Sequence, residues 1–141
     1  MQKYDIERVV GEGSYGKALL CRRKSDSTRC IIKQIAVGKM SKKEQKQTEQ
    51  ESKLLSKFSH PNIVAYWESF STPSHLYIVM EYADAGDLSK YIQNQRGRHL
   101  NEQSVLNIFV QIALALKHVH DRKILHRDLK TQVMFLIIGA S

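Results

Sequence analysis

The chain has 141 residues, 42% hydrophobic and 26% charged, with 22 basic and 14 acidic side chains for a formal net charge of +8. Those values exclude a disordered polyelectrolyte, and two cysteines are too few for a disulfide framework or a cysteine-rich metal domain. The basic residues fall in three separate stretches, around Arg22, Lys39 to Lys46 and Arg122 to Lys130, which describes a solvated surface and not a nucleic-acid track.

From the N-terminus, Tyr4 to Val10 has the composition of a strand and runs into Gly11, Gly13 and Gly16. Lys17 to Arg22 and Arg29 to Ile35 predict two more strands, joined by the polar hairpin Lys24 to Thr28. Cys21 and Cys30 sit among strand-like residues and read as buried or half-buried thiols of a reducing compartment. A polar helix is expected from Ser41, because Ser41 and Glu44 have the spacing of a capping box. Leu54, Leu55 and Phe58 are expected on its apolar face, with Glu51 on that same face at helical spacing. Pro61 ends the region. Ala65 to Phe70 and Leu76 to Glu81 predict the fourth and fifth strands. A short helix is expected between Gly86 and Gly97. A long amphipathic one follows to Asp121, with Asn101 as N-cap and Val105, Ile108, Phe109, Ile112, Leu116 and Val119 at helical spacing. No apolar run follows the basic start as in a signal peptide, and no stretch reaches the ~20 apolar residues that span a bilayer. A cytoplasmic location is expected, with nuclear or cytoskeletal association compatible.

Three motifs carry chemistry. In Gly11-Glu12-Gly13-Ser14-Tyr15-Gly16, glycines let a backbone turn sharply and bring its N–H groups to phosphate oxygens. A dinucleotide-binding turn would lead into a helix, whereas Lys17 to Arg22 has strand composition. A P-loop would need a hydroxyl after Lys17, and Ala18 has none. A plain glycine-rich hairpin and a strand–glycine–strand phosphate flap both fit the flanks. The second motif is Lys33 in an apolar strand together with Glu51 on the following helix, a pair able to neutralise each other. Lys33 alone would be an ordinary edge-strand lysine. The third is His126-Arg127-Asp128-Leu129-Lys130, which follows the long helix in an order that a charged turn has no reason to produce.

In this order and at these separations, the motifs resemble the protein kinase catalytic domain, from Tyr4 to about Gln132. Within it the chain is most similar to the NIMA-related (Nek) serine/threonine kinases. His60-Pro61-Asn62-Ile63-Val64, Leu76 to Tyr82 and Asp121 to Gln132 carry that likeness beside the glycine motif. The resemblance implies an α+β fold: a protein-kinase-like N-lobe of five antiparallel strands and one helix, followed by an incomplete helical C-lobe. It divides the chain into an N-lobe with hinge at 1–83, a partial C-lobe at 84–132 and a divergent apolar tail at 133–141.

The implied function is ATP-dependent phosphorylation of serine or threonine on protein substrates. Asp128 would receive the hydroxyl proton, Lys130 would contact the transferring phosphate, and Glu51 would orient Lys33 toward the α- and β-phosphates. ATP would be held by Gly11, Glu12, Gly13, Ser14, Tyr15 and Gly16, with Ala18 and Ile31 beside Val10 as adenine walls. Met80 would be the gatekeeper, Glu81 to Ala83 the hinge, and Asp87 would lie near the ribose. The pattern breaks at Val133, where the family has a magnesium-binding Asn, and the D-F-G aspartate is not in the chain. The family's Mg2+ therefore finds neither ligand here and no metal residue is assigned. These departures describe a truncated, inactive form; the alternative is a non-catalytic nucleotide- or partner-binding kinase fragment. A P-loop NTPase is the third reading, and Ala18 opposes it. Partners are ATP and protein substrates, with no nucleic acid and no membrane, and with self-association through exposed apolar surface.

Overall fold

The computed structural model describes residues 2–13, 16–125 and 129–134. The chain divides into two compact units, Met1–Ser59 with Ala65–Tyr82, and His60–Val64 with Ala83–Ser141.

The first unit is a five-stranded sheet in the order β1-β2-β3-β5-β4, every neighbouring pair antiparallel. The strands are β1 (Tyr4–Gly13), β2 (Gly16–Arg23), β3 (Arg29–Ala36), β4 (Tyr66–Ser71) and β5 (His75–Glu81), and helix α1 (Lys42–Leu55) joins β3 to β4. Alternation along β3 sends Cys30 and Ile32 to one face and Ile31, Lys33 and Ile35 to the other. The first face holds a core of Tyr4, Leu19, Cys21, Cys30, Ile32, Tyr77 and Val79, with Trp67 and Phe70 packed against it. The second gathers Val37, Leu76 and Ile78 with Ile35, Met40, Tyr66 and Met80. β1 runs farther than its composition predicts. Gly11 and Glu12 pair with Ala18 and Lys17, so the glycines belong to the ladder, and shifts between Ile6 and Arg8 and between Val9 and Gly11 curl the strand.

Cys21 and Cys30 stand opposite each other in the β2–β3 register, both fully buried and reduced. Burial pushes the Cys21 thiol up to about 11 and raises that of Cys30 as well, so both are unreactive packing groups. Arg23 lies 4.5 Å from the centre of the Trp67 ring and also pairs with Asp26, which places one cation over the open side of the core.

α1 starts as expected: Ser41 Oγ accepts from the Glu44 N–H, and Glu44 accepts from the Ser41 N–H at 2.7 Å. Its buried face corrects the sequence expectation. Ser52 is the buried residue, while Leu54 and Leu55 are 36% and 38% exposed. The helix rests on β4, where Ser71 Oγ donates to Glu49 at 3.5 Å, and a polar helix of this composition has no dominant apolar stripe to override that contact.

Tyr4 is 6% exposed, and its hydroxyl donates to Glu68 Oε1 at 2.6 Å, joining β1 to β4. Burial, then this bond, raises the Tyr4 pKa, and the same bond first of all lowers that of Glu68. The Glu68 contribution is complete above pH 4.5 and is lost as pH falls through its depressed value. The Tyr4 contribution is complete below pH 10 and is lost as pH rises through its raised value. Tyr4→Phe is therefore expected to cost about 1–2 kcal/mol between those limits, discounted for the partial exposure of Glu68. In urea melts across pH, the gap between Tyr4→Phe and the parent should narrow at both extremes. A gap that does not change with pH would rule the pair out as its source.

In the second unit, α2 (Leu88–Gln93) is capped by Asp87, which accepts from the Lys90 N–H at 2.8 Å. α3 (Glu102–Asp121) is capped by Asn101, which accepts from the Ser104 N–H at 2.8 Å. A 3-10 turn, Thr131–Val133, packs on α2, and the Leu88 N–H donates to the Met134 carbonyl at 2.7 Å. Asn62 donates to Gln111 at 3.1 Å, and the His60 and His118 rings lie 5.0 Å apart, which fixes residues 60–64 against α3. The partly covered side of α3 is Ser104, Ile108, Ile112, Ala115, Leu116 and Val119. Val105 and Phe109 of the expected stripe lie outside it, at 49% and 65% exposure.

Candidate functional site

Cross-strand pairing builds the site on the second face of the sheet. In an antiparallel ladder, paired residues share a face. One row runs Gly11, Ala18, Lys33, Ile78, and the adjacent row runs Leu20, Ile31, Met80, Tyr66. Five residues singled out from the sequence (Gly11, Ala18, Lys33, Ile31 and Met80) thus lie in two neighbouring rows, about 7 Å apart. Leu20 and Ile78 belong to the same rows but are buried, at 2% and 5% exposure. Sequence reasoning did not name them, although each is the period-two neighbour of a residue it did name.

The glycine hairpin lies at one end of the first row. Gly13 pairs with Gly16, and Glu12 with Lys17, whose ammonium is 3.1 Å from the Glu12 carboxylate. Among the described residues, a side-chain carbon added at Gly13 would meet nothing within 4 Å, so they leave the backbone there bare. Gly16 is different: its φ is +148°, and an added carbon would collide with the Gln34 carbonyl oxygen. The hairpin therefore combines one glycine needed for close approach to β3 with one that leaves room for a ligand. Ser14 and Tyr15 lie outside the described residues.

Lys33 is exposed on this face, and no ion pair involves it among the described residues. Glu51 is also exposed and accepts from Gln47 Nε2 at 3.2 Å, so the structure does not bring it to Lys33. It lines an open groove of about 490 Å³ with Gln47, Gln50, Lys53, Leu54 and Lys57. Glu81, at the end of β5, is tied to Ala65 twice: its N–H donates to the Ala65 carbonyl, and its carboxylate accepts from the Ala65 N–H at 3.0 Å.

In the second unit, Ala83 is buried and its carbonyl accepts from the Gly86 N–H at 3.3 Å. Asp87 caps α2, and Lys130 is the exposed residue before the 3-10 turn. Asp128 lies outside the described residues, with His126, Arg127 and the apolar segment after Met134. Val133 is in the 3-10 turn.

The first unit thus presents a bare glycine backbone, a cation and an apolar shelf on one face. That donor set fits a molecule with an aromatic ring and an anionic tail. A divalent metal is different. Among the described residues no three His, Cys, Asp or Glu side chains converge, and Asp128 lies outside them.

Comparison with known proteins gives the family. The family model described as protein kinase domain matches residues 4–137, past Gln132. The chain is 52% identical over 136 residues to serine/threonine-protein kinase Nek5 of Homo sapiens, covering 96% of this chain and 19% of that protein. It is 50% identical to serine/threonine-protein kinase Nek1 of Mus musculus and 47% to serine/threonine-protein kinase Nek8 of Danio rerio, again over 96% of this chain, and 11% and 20% of theirs. The chain spans about a fifth or less of the length of these relatives.

Proposed function

The chain belongs to the protein kinase domain family, with Nek serine/threonine kinases among its relatives, and from that premise we propose that it serves ATP-dependent phosphorylation of serine and threonine hydroxyls on proteins. The observation that carries this reading is the row Gly11, Ala18, Lys33 beside Ile31 and Met80. Adenine would lie on the apolar part of the face, walled by Val10, Ala18 and Ile31 with Met80 behind. The hinge, Glu81 to Ala83, would offer it backbone groups. The phosphates would lie under the glycine hairpin, whose bare backbone at Gly13 leaves them room, and the Lys33 ammonium would offset their charge. Asp128 would position the substrate hydroxyl and take its proton, with Lys130 beside the phosphate; Asp87 would sit near the ribose. Glu51 would have to leave Gln47 to pair with Lys33. No step is assigned to magnesium, and Val133 stands where the family pattern has one of its ligands.

A second reading has one specific observation in its favour. Val133 stands where the family pattern places a metal-binding Asn, so the chain by itself is proposed to bind nucleotide without transferring phosphate. The expected location is the cytoplasm; among the described residues no helix is long and apolar enough to cross a membrane.

Calorimetric titration with ATP, with and without magnesium, tests both readings. Weak binding is expected, little changed by magnesium and weakened about tenfold or more by Lys33→Ala, a factor worth about 1.4 kcal/mol. A radiolabel transfer assay should show no incorporation above the Lys33→Ala control. ATP binding indifferent to Lys33 would sink the nucleotide site. Tight magnesium-dependent binding with transfer would sink the silent form and leave the site standing.

A further inference from the structure

Apart from Arg8 and Lys33, the described cations of the sheet and its turns are paired. Lys3 pairs with Glu68, Lys17 with Glu12, Arg22 and Arg29 with Glu7, Arg23 with Asp26, and Lys24 with Asp5. Those of α1 and its flanks are not. Lys39, Lys42, Lys43, Lys46, Lys53 and Lys57 are all exposed, and no ion pair involves any of them among the described residues. The three carboxylates of this helix are engaged otherwise: Glu44 in the capping box, Glu49 by Ser71, and Glu51 by Gln47.

Helical geometry collects the free charge. At about 100° per residue, Lys42, Lys46 and Lys53 fall within roughly 40° of one another, and Lys43 borders that sector. Glu44 and Glu51 lie on the far side of the helix, whereas Glu49 falls within about 40° of Lys42 and Lys53, at the β4 edge of the row, where Ser71 Oγ donates to it. Lys57 follows on the capping turn, where its N–H donates to the Leu54 carbonyl at 3.0 Å. The result is a row of ammonium groups about 17 Å long between Lys42 and Lys53, on a flank of α1 roughly 100° round the helix from buried Ser52. Like charges held in a row repel, and repulsion left uncompensated favours an anionic partner.

We propose that this lysine row of α1 is a docking surface for an acidic segment of a partner protein, distinct from the nucleotide face and independent of it. The spacing suits an extended peptide. A step of four helical residues, as from Lys42 to Lys46, is about 6 Å, which matches two residues of extended chain at about 3.3 Å each with both side chains on one face. Carboxylates two residues apart meet Lys42 and Lys46, and Gln50 beside the row can bond the peptide backbone. Two other polyanions fit less well. Residues 39–57 contain no arginine and no aromatic side chain, so there is no platform for nucleic-acid bases. The exposed apolar side chains of α1 are Leu54 and Leu55, too little to enter a lipid interface.

The test is fluorescence anisotropy of a labelled glutamate-rich dodecapeptide with the full chain. Binding should weaken as salt rises and fall at least tenfold in Lys46→Glu/Lys53→Glu. Lys46→Arg/Lys53→Arg, which keeps the charge, and Lys117→Glu, which reverses a charge on α3, should stay within about twofold of the parent. No binding by the parent, or a double reversal within twofold of it, overturns the proposal. Tighter binding of single-stranded RNA or of anionic phospholipid vesicles through the same lysines overturns it too, and names the other partner.

Discussion

Gly16→Ala should destabilise the first unit by about 2–6 kcal/mol. Two penalties add. Gly16 has φ +148°, a conformation that an L side chain rarely adopts, and holding alanine there costs about 1–3 kcal/mol. The new carbon would also collide with the Gln34 carbonyl oxygen, with the carbonyl carbon 2.9 Å away and the Ile35 Cα 3.1 Å away. These are backbone atoms of β3, so they cannot swing aside as a side chain would. Relieving the overlap means moving β2 off its neighbour at the Gly16–Ile35 pair, for about 1–3 kcal/mol more. Net domain stabilities of ~5–15 kcal/mol leave little margin for such a loss. Trp67, the single tryptophan, packs against the core of the same unit and reports unfolding in denaturant by its fluorescence. Gly13→Ala is the control. Its added carbon meets nothing, and it should stay within about 0.5 kcal/mol of the parent. Equal stability of the two variants would mean that β2 and β3 separate at Gly16 without cost.

Ile32→Ala is expected to cost about 3–5 kcal/mol by a different route. Ile32 is fully buried at the centre of the sheet, paired with Leu19 on one side and Val79 on the other, in a core that includes Tyr4, Tyr77 and both cysteines. Truncation removes its transfer free energy and leaves a cavity whose walls are sheet backbone and ring faces, which relax little. Its neighbour Ile31 points to the other face and is only partly buried. Ile31→Ala should therefore cost about 1–2 kcal/mol, and under the nucleotide reading it should also weaken ATP binding. The contrast between adjacent residues is the diagnostic. Equal costs at 31 and 32 would contradict the difference in burial between the two sides of β3.

Local physics was legible in the sequence. The capping box at Ser41 and Glu44 and the N-cap at Asn101 depend on groups three residues apart, so spacing alone exposes them. The five strands follow from period-two composition and turn residues, and the family from three motifs in order. Non-local geometry decided the rest. α1 buries Ser52 instead of Leu54 because a mostly polar helix takes its orientation from the surface it meets, here β4. Glu51 keeps the spacing that its resemblance requires yet bonds Gln47, a neighbour one turn away. Tyr4 bonds Glu68 across 64 residues, and Arg23 covers Trp67, through curling of the sheet that no window of sequence contains. Register is the deepest of these decisions. It sets Cys21 against Cys30, and Lys33 between Ala18 and Ile78, because slipping one strand by a single residue would exchange core face for ligand face.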